Sequence, residues 1–211
     1  VWRAIIGDPS GLNPLSVLDE LPKLGALQRL GDPPFPIQED QIHLESAAAR
    51  KIVRFPLHER EKVFGMGLQF MRMNQRGRTR YLRVNSDPRQ DTGETHAPVP
   101  FYVTDRGYGV LVNTSRIVTI YCGSTVRMED SRKEDVLDRN TDKKWRATPV
   151  SGRIEIVLPA EGAELLLFAG KSALEVVQRY NLYSGGGTLP PRWGLGFWHR
   201  VPKLFSAEEV L

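Results

Sequence analysis

The chain has 211 residues, of which 40% are hydrophobic and 26% are charged, and its formal net charge is +4. This composition is ordinary for a globular protein, and a chain of this length buries a core without disulfide staples. No apolar run approaches the roughly 20 residues of a membrane-spanning helix, and the single cysteine, Cys122, excludes an internal disulfide. The mild positive charge permits an anionic partner without requiring one.

The first part of the chain predicts an irregular segment followed by a β-rich domain. Residues 1–50 are rich in Pro, Gly and Leu, and we expect them to be irregular apart from one short helix over Ser16–Leu21. From residue 51 the pattern changes to short β-rich runs with frequent turn signals, which predicts an antiparallel β-sandwich over 51–170. The Asp-Arg-Gly turn at 105–107 predicts a hairpin. The β-rich runs are KIVRFPL, KVFGMGLQF, RYLRVN, PFYVT, YGVLVNTS, RIVTIYCG, TVRMED, RIEIVLPA and AELLLFAG.

A long polar stretch, NSDPRQDTGETHAP at 85–98, separates two of the predicted strands. Loops of this length are uncommon in compact domains and often carry function. Its acids are Asp87, Asp91 and Glu94, and acids gathered in one loop are candidates for a general acid/base pair. The simpler interpretation is a solvated loop in which Asp87 begins a turn before Pro88.

After the sandwich, residues 171–190 predict a helix and a linker. Ser172 and Glu175 have the spacing of a capping box at the start of the helix. The three glycines at 185–187 are typical of a helix end. They lack the lysine of a phosphate-binding loop, so we do not interpret them as one.

Residues 191–211 predict the beginning of a second domain. RWGLGFW is a nearly continuous apolar run, which favours a strand buried on both faces of a parallel sheet. Ser206 and Glu209 then have the spacing of a second capping box. Strand, loop and helix start form the first half of a βα unit, and the first residue is Val1 rather than Met. We therefore expect a processed or partial chain whose α/β domain continues beyond it.

Four motifs occur in a fixed order along residues 63–211. They are VFGMG at 63–67, VNSDP at 84–88, VPFYVTDRGYGVLVNTS at 99–115, and LPPRWGLGFW followed by FSAEEV. In this order they resemble segments of glycoside hydrolase family 31. The first three are similar to the YGLG-type signature, the W-N-x-D or F-N-x-D loop and the PFY hairpin of its amino-terminal sandwich. The fourth is similar to the junction with the first strand and helix of its catalytic (β/α)8 barrel.

The resemblance implies a fold, an activity and a set of partners. The fold would be mainly β, a galactose-mutarotase-like supersandwich followed by a helix and the first βα unit of a truncated (β/α)8 barrel. The family hydrolyses α-glycosidic bonds with retention, which needs two carboxyl groups about 5 Å apart. Both come from later barrel strands, so we expect no catalytic residue in this chain and no cofactor or metal. The expected partners are an oligosaccharide or α-glycoside substrate and the missing barrel, without nucleic acid or membrane.

The resemblance also implies two substrate-binding residues. Asp87 would reach from the sandwich to accept hydrogen bonds from two sugar hydroxyls, since charge-assisted bonds are stronger than neutral ones. Trp198, at the end of the predicted barrel strand, would stack on a sugar face. Buried packing is the favoured interpretation of Trp193 and Phe197. The chain departs from the family at 68–69, where Leu and Gln follow the signature in place of the usual Glu.

Two other functions remain open at this point. The same loop and sandwich would suit a carbohydrate-binding or interaction module that acts alone, without catalysis. A nucleic-acid interface would use the arginines of MRMNQRGRTRYLR, although alternation along a strand favours a solvated face paired with nearby acids. Those arginines are Arg72, Arg76, Arg78, Arg80 and Arg83. The four histidines are scattered and lack the spacing of a zinc site.

Overall fold

The computed structural model describes residues 1–8, 22–47, 50–68, 72–84, 92–124, 140–141, 150–159, 162–187, 189–196, 206 and 208. The strands in these ranges are β1 (Trp2–Gly7), β2 (His43–Ala47), β3 (Arg50–Pro56), β4 (Val63–Gly65), β5 (Arg78–Val84), β6 (Glu94–Thr95), β7 (Phe101–Thr104), β8 (Tyr108–Asn113), β9 (Thr119–Ser124), β10 (Val150–Pro159) and β11 (Gly162–Ala169). The α-helices are α1 (Leu24–Arg29) and α2 (Ala173–Tyr183), and 3-10 helices cover Glu39–Gln41 and Arg192–Leu195. Neither α-helix is long and apolar enough to cross a lipid bilayer.

The strands form two sheets that pack face to face. One sheet has five strands in the order β1-β11-β8-β7-β4, and the other has six in the order β2-β3-β10-β9-β5-β6. All neighbours are antiparallel except β5 and β6. Alternate residues point between the sheets, as the period-two patterns require, and they include Val53, Phe55, Val110, Val112, Ile154, Ile156 and Leu158. The prediction of a mainly β sandwich is confirmed.

The first 50 residues contribute to both sheets, which corrects the expectation that this segment is irregular. β1 pairs with β11 over its whole length, from Trp2 opposite Leu167 to Gly7 opposite Gly162. β2 pairs with β3 at the edge of the other sheet. Trp and Ile favour strands, but the partner of β1 lies about 160 residues away in the sequence, and no local pattern marks such a pairing. The predicted helix over Ser16–Leu21 lies outside the described residues.

The turns between strands follow their sequence signals. The predicted hairpin is confirmed, since β7 and β8 pair antiparallel around residues 105–107. Gly107 has a φ of +81°, and a Cβ there would lie 2.3 Å from the Gly170 carbonyl oxygen, so the turn requires glycine. β10 and β11 follow one another in the chain but belong to different sheets, so the chain crosses the sandwich between them. The predicted strand TVRMED lies outside the described part of the chain.

Helix α2 covers the outer face of the five-stranded sheet. The Ser172 hydroxyl accepts a hydrogen bond from the Glu175 amide at 3.3 Å, which confirms the predicted N-cap. The Glu175 carboxylate accepts from the Lys171 amide at 3.1 Å rather than from Ser172. The buried Arg179 guanidinium donates to the carbonyls of Leu30 and Gly31 just after α1, at 2.8 Å each. This side chain joins the two helices.

The segment after α2 differs from the sequence prediction. Arg192–Leu195 form a 3-10 helix, so the strand predicted to begin there is wrong for these four residues. The side chains of Trp193 and Leu195 are 72% and 75% exposed, so the described part of the chain does not bury Trp193 as the sequence analysis favoured. A parallel strand is stable only beside neighbours, and none of the described strands pairs with 192–196. Phe197 lies outside the described residues, and Ser206 and Glu208 alone are described of the predicted second helix.

Candidate functional site

The candidate site is the loop that connects β5 to β6. Asp87 and Trp198, the two residues expected to contact a sugar, lie outside the described residues, as does Asp91. The structure describes both ends of the loop, namely β5 up to Val84 and the chain from Thr92 onward. We call residues 81–84 and 92–97 together the loop base. The loop base is the described chain on either side of residues 85–91.

A short parallel pairing joins the two halves of the loop base. Tyr81 lies opposite Glu94, and Val84 lies opposite Thr95. The Tyr81 amide donates to the Gly93 carbonyl at 2.8 Å. Gly93 has a φ of +86°, and a Cβ there would lie 2.9 Å from the Thr79 carbonyl oxygen and 3.0 Å from the Tyr81 ring. Glycine is therefore the residue that this close approach permits.

Glu94 is engaged in an ion pair rather than poised as a catalytic acid. Its carboxylate pairs with the Arg83 guanidinium across the loop base. Its other oxygen accepts from the Thr92 hydroxyl at 3.1 Å. In the described part of the loop no second acid lies beside it. The arrangement favours a structural role for Glu94, and the acid/base pair considered from the sequence stays untested because Asp91 is not described.

A turn with left-handed backbone lies against the loop base. In the segment Gly65–Leu68, which we call the glycine turn, Gly65, Met66 and Gly67 have φ values of +102°, +66° and +98°. The Met66 amide donates to the Phe101 carbonyl at 2.8 Å. A Cβ at Gly65 would lie 2.7 Å from that same oxygen. The VFGMG motif therefore marks a backbone conformation that two glycines make accessible.

Three further hydrogen bonds connect the glycine turn to the loop base, all of them at Leu68. The Leu68 amide donates to the Ala97 carbonyl at 3.2 Å. The Leu68 carbonyl accepts from the Thr95 hydroxyl at 3.0 Å and from the His96 amide at 3.4 Å. The sequence analysis treated the motif and the loop separately and missed this contact. Leu68, which follows the signature where the family usually has Glu, makes these contacts through its backbone. Its side chain is half exposed.

The arginines that favoured a nucleic-acid interface have partners within the fold. Arg80 is 1% exposed and donates through Nε to the Gln75 side chain at 2.7 Å. Arg76 donates to the carbonyls of His58 and Glu61 at 2.6 and 3.0 Å. Arg80 points into the core while Tyr81 is 39% exposed, so the solvated arginine face favoured from the sequence is wrong for Arg80. These contacts support structural roles for the two arginines.

The core beneath the glycine turn contains the single cysteine. Cys122 Sγ lies 3.7 Å from Met66 Sδ, and both side chains are fully buried. Burial raises the pKa of the Cys122 thiol from 9.0 to about 12, and the Arg80 guanidinium offsets part of this rise. Burial likewise raises the pKa of Tyr102 and of Tyr108. Within the described ranges no three His, Cys, Asp or Glu side chains come together as metal ligands would.

The buried thiol gives a prediction about reactivity and pH. Thiolates rather than thiols attack disulfide reagents, so at pH 8 the folded chain should react about a thousandfold more slowly than the urea-unfolded chain. Because the folded-state pKa is raised, the stability contributed by this thiol is complete below pH 9 and is lost as the pH rises toward 12. Release of the reagent's chromophore, followed by absorbance, measures both rates. Equal rates would show that Cys122 is accessible in the folded chain.

Comparison with known proteins finds a family model that matches part of the chain. Residues 36–120 match the family model described as the glycosyl hydrolase 31 N-terminal galactose mutarotase-like domain. This range extends from the segment before β2 to the start of β9 and includes the glycine turn and the whole loop between β5 and β6.

Curated relatives of the chain include α-xylosidases. The α-xylosidase XylQ of Lactiplantibacillus pentosus is 26% identical over 153 residues, which cover 72% of this chain and 17% of the relative. An α-xylosidase of Emericella nidulans is 25% identical over 138 residues, which cover 65% of this chain and 14% of the relative. The chain therefore matches less than a fifth of the length of these relatives.

Solved structures share the fold. The GH31 dextranase of Flavobacterium johnsoniae, complexed with glucose, superposes with a TM-score of 0.55 at 18% identity over 73% of this chain and 16% of its own. The cycloalternan-forming enzyme of Listeria monocytogenes, in complex with a pentasaccharide substrate, superposes with a TM-score of 0.54 at 20% identity over 76% of this chain and 14% of its own. At these identities the likeness shows the fold of the domain.

Proposed function

We propose, from the match of residues 36–120 to the glycosyl hydrolase 31 N-terminal galactose mutarotase-like domain, that the chain is the amino-terminal part of a retaining α-glycoside hydrolase. The observation that carries the proposal is the family match, supported by the α-xylosidases among the curated relatives. The whole protein would hydrolyse terminal α-linked sugars, with α-xylosides as the first substrates to test. The nucleophile and the acid/base carboxyl would belong to a (β/α)8 barrel, at the carboxyl ends of its strands.

The first role of the chain would be to support that barrel. Leu189, Trp193 and Leu195 follow α2 and are 93%, 72% and 75% exposed. Three large apolar side chains exposed within seven residues suit a surface that another domain covers. In the longer protein they would pack against the barrel, beside the face of the sandwich that α2 covers.

The second role would be to bring the loop of residues 85–91 to the sugar. Asp87 would accept hydrogen bonds from two neighbouring sugar hydroxyls, and Trp198 would offer a ring to one face of the sugar. Support for this role comes from the loop base, which holds both ends of the loop through the β5–β6 pairing and the Arg83–Glu94 ion pair.

A direct experiment tests the proposed activity. The source gene is sequenced past the codon for Leu211, and the longer protein is assayed on p-nitrophenyl α-xyloside, α-glucoside and α-galactoside. We expect hydrolysis of at least one of them, with the α-anomer of the free sugar appearing first in proton NMR. A stop codon at that point would refute the proposal. Sugar binding by such a chain, measured by calorimetry, would then favour the stand-alone carbohydrate-binding module.

Asp87→Ala in the longer protein should weaken sugar recognition while leaving folding nearly intact. Each charge-assisted hydrogen bond contributes about 1.5–3 kcal/mol, so kcat/KM should fall about tenfold or more for one lost bond. Steady-state kinetics on the best aryl α-glycoside measure this change, and thermal unfolding checks the fold.

Asp91→Ala, in the same loop, is the matched control for Asp87→Ala. It removes an equal charge without removing the proposed sugar contact, so its kinetics should stay within about twofold of the parent protein. Equal kinetics for the parent and Asp87→Ala would show that the loop has a structural role only.

A further inference from the structure

We propose that the core of the sandwich binds one internal water molecule, held by the side chains of Glu61, Tyr102 and Tyr108. We call these three residues the polar core cluster. They lie apart from the loop base, and they have no part in the proposed activity. The proposal therefore concerns the sandwich itself and holds or fails independently of any glycosidase activity.

The cluster is marked by three buried polar atoms. They are Glu61 Oε1, Tyr102 Oη and Tyr108 Oη, and in the described part of the chain none of them has a hydrogen-bond partner. Glu61 is 3% exposed, and both tyrosines are 0% exposed. Buried carboxylates and phenols normally bond to a protein group or to ordered water. Leaving three such atoms without partners would cost a large share of the stability of a whole domain.

The three atoms meet at one place in the core. Tyr102 belongs to β7 and Tyr108 to β8, and their rings meet edge to face with centroids 6.2 Å apart. Burial is the largest cause of the raised pKa of both phenols, and the nearby Glu61 carboxylate raises the pKa of each further. One ligand can therefore contact all three residues.

Backbone contacts hold the Glu61 carboxylate in the turn before β4. Its Oε2 accepts a hydrogen bond from the His58 amide at 3.0 Å, and the Glu61 amide donates to the His58 carbonyl at 3.1 Å. The Arg76 guanidinium donates to the backbone carbonyl of Glu61 rather than to its carboxylate. None of the ion pairs between described residues includes Glu61. Oε1 can therefore accept a further bond inside the core.

Aromatic packing holds the two phenols. The Tyr108 ring meets Phe35 edge to face at 5.5 Å, and the Tyr102 ring meets Phe55 in the same way at 6.5 Å. The apolar bodies of both tyrosines are thus fixed among core side chains. Their hydroxyls cannot reach bulk solvent, because neither residue is exposed.

Water suits this set of partners. A water molecule donates two hydrogen bonds and accepts two, and a phenol both donates and accepts, so one water can bond to Glu61 Oε1 and to both phenols. Internal waters typically make about three hydrogen bonds to buried polar groups that otherwise have none. The alternative is a direct chain from Tyr102 through Tyr108 to Glu61, which the described geometry does not contain. The water would join the turn before β4 to the β7–β8 hairpin.

A crystal structure of the chain tests the proposal directly. We expect one ordered water within hydrogen-bond distance of Glu61 Oε1 and of both phenol oxygens. Direct bonds from Tyr102 Oη to Tyr108 Oη and from Tyr108 Oη to Glu61 Oε1, with no water among them, would overturn the proposal. A metal ion at this position would overturn it as well.

The double variant Tyr102→Phe/Tyr108→Phe tests the same site in solution. It removes both phenol oxygens and keeps both rings, so the water would have a single partner and would no longer be held. Oxygen-17 relaxation dispersion counts long-lived internal waters and does not respond to exchanging hydroxyl protons. We expect the count to fall by one relative to the parent chain.

The matched control is Tyr180→Phe/Tyr183→Phe, which removes two phenol oxygens from partly exposed residues of α2. Its count should equal that of the parent chain. An equal count in the parent chain and in Tyr102→Phe/Tyr108→Phe would contradict the proposal. Circular dichroism checks the fold of each variant, and if Tyr102→Phe/Tyr108→Phe does not fold, the crystal structure of the parent chain decides.

Discussion

Gly67→Ala should lower the free energy of unfolding by about 3–5 kcal/mol, because the backbone at residue 67 has no room for a Cβ. The added atom would lie 2.0 Å from the Ala97 carbonyl oxygen and 2.8 Å from the Thr95 hydroxyl oxygen. The φ of +98° adds backbone strain for any residue with a side chain. The nearest obstacle is backbone that belongs to the loop base, so relief would require the returning end of the loop to move. Urea unfolding followed by circular dichroism measures the change.

Gly77→Ala separates the steric effect from the conformational one. Gly77 also has a positive φ, +77°, but a Cβ there would meet nothing within 4 Å. Its expected cost is therefore only the left-handed backbone penalty of about 1–2 kcal/mol. Equal losses at the two positions would show that the close approach to Ala97 does not hold in solution.

The sequence predicted most of the sandwich because the signals for its strands are local. Short β-rich runs between turn residues located β3, β5, β7, β8, β9, β10 and β11, and Ser172 located the start of α2. The pairing of β1 with β11 could not be predicted, since it joins residues 2–7 to 162–167. The prediction of a strand over residues 192–195 was wrong for a related reason. A short apolar run does not distinguish a buried strand from a helical turn, and the difference depends on neighbours that the run does not encode.

The sequence identified the separate motifs of the candidate site but not the contacts between them. Length, polarity and the family resemblance identified the loop at 85–98, and the resemblance identified the VFGMG motif. The contact of Leu68 with Thr95 and Ala97 arises because β4 and β6 lie at the same edge of the two sheets. Sheet order is a property of the whole fold, so neither motif alone indicates that they meet. The Arg83–Glu94 ion pair agrees with the expected pairing of these arginines with nearby acids, but the sequence did not indicate which acid, because Arg83 belongs to a different strand.

Phe168→Ala should cost about 3–5 kcal/mol, the usual range for removing a buried aromatic ring. Phe168 is fully buried between the five-stranded sheet and α2. Its ring meets the rings of Phe101, Tyr180 and Tyr183 edge to face, with centroid distances of 5.9, 6.0 and 5.7 Å. Two of these partners belong to α2, so the vacated space would lie directly under the helix. We therefore expect the amides of α2 to exchange with deuterium faster than those of β10, which lies in the opposite sheet.

The matched control for this prediction is Leu174→Ala on the solvent side of α2. The Leu174 side chain is 78% exposed, and surface substitutions of this kind change stability by about 0.5 kcal/mol or less. Urea unfolding gives the energies, and hydrogen exchange with mass spectrometry gives the local effect. A loss below about 1.5 kcal/mol for Phe168→Ala, or unchanged exchange in α2, would show that the helix is not held by these rings. The expected result would establish that these rings contribute a large share of the energy that holds α2 against the five-stranded sheet.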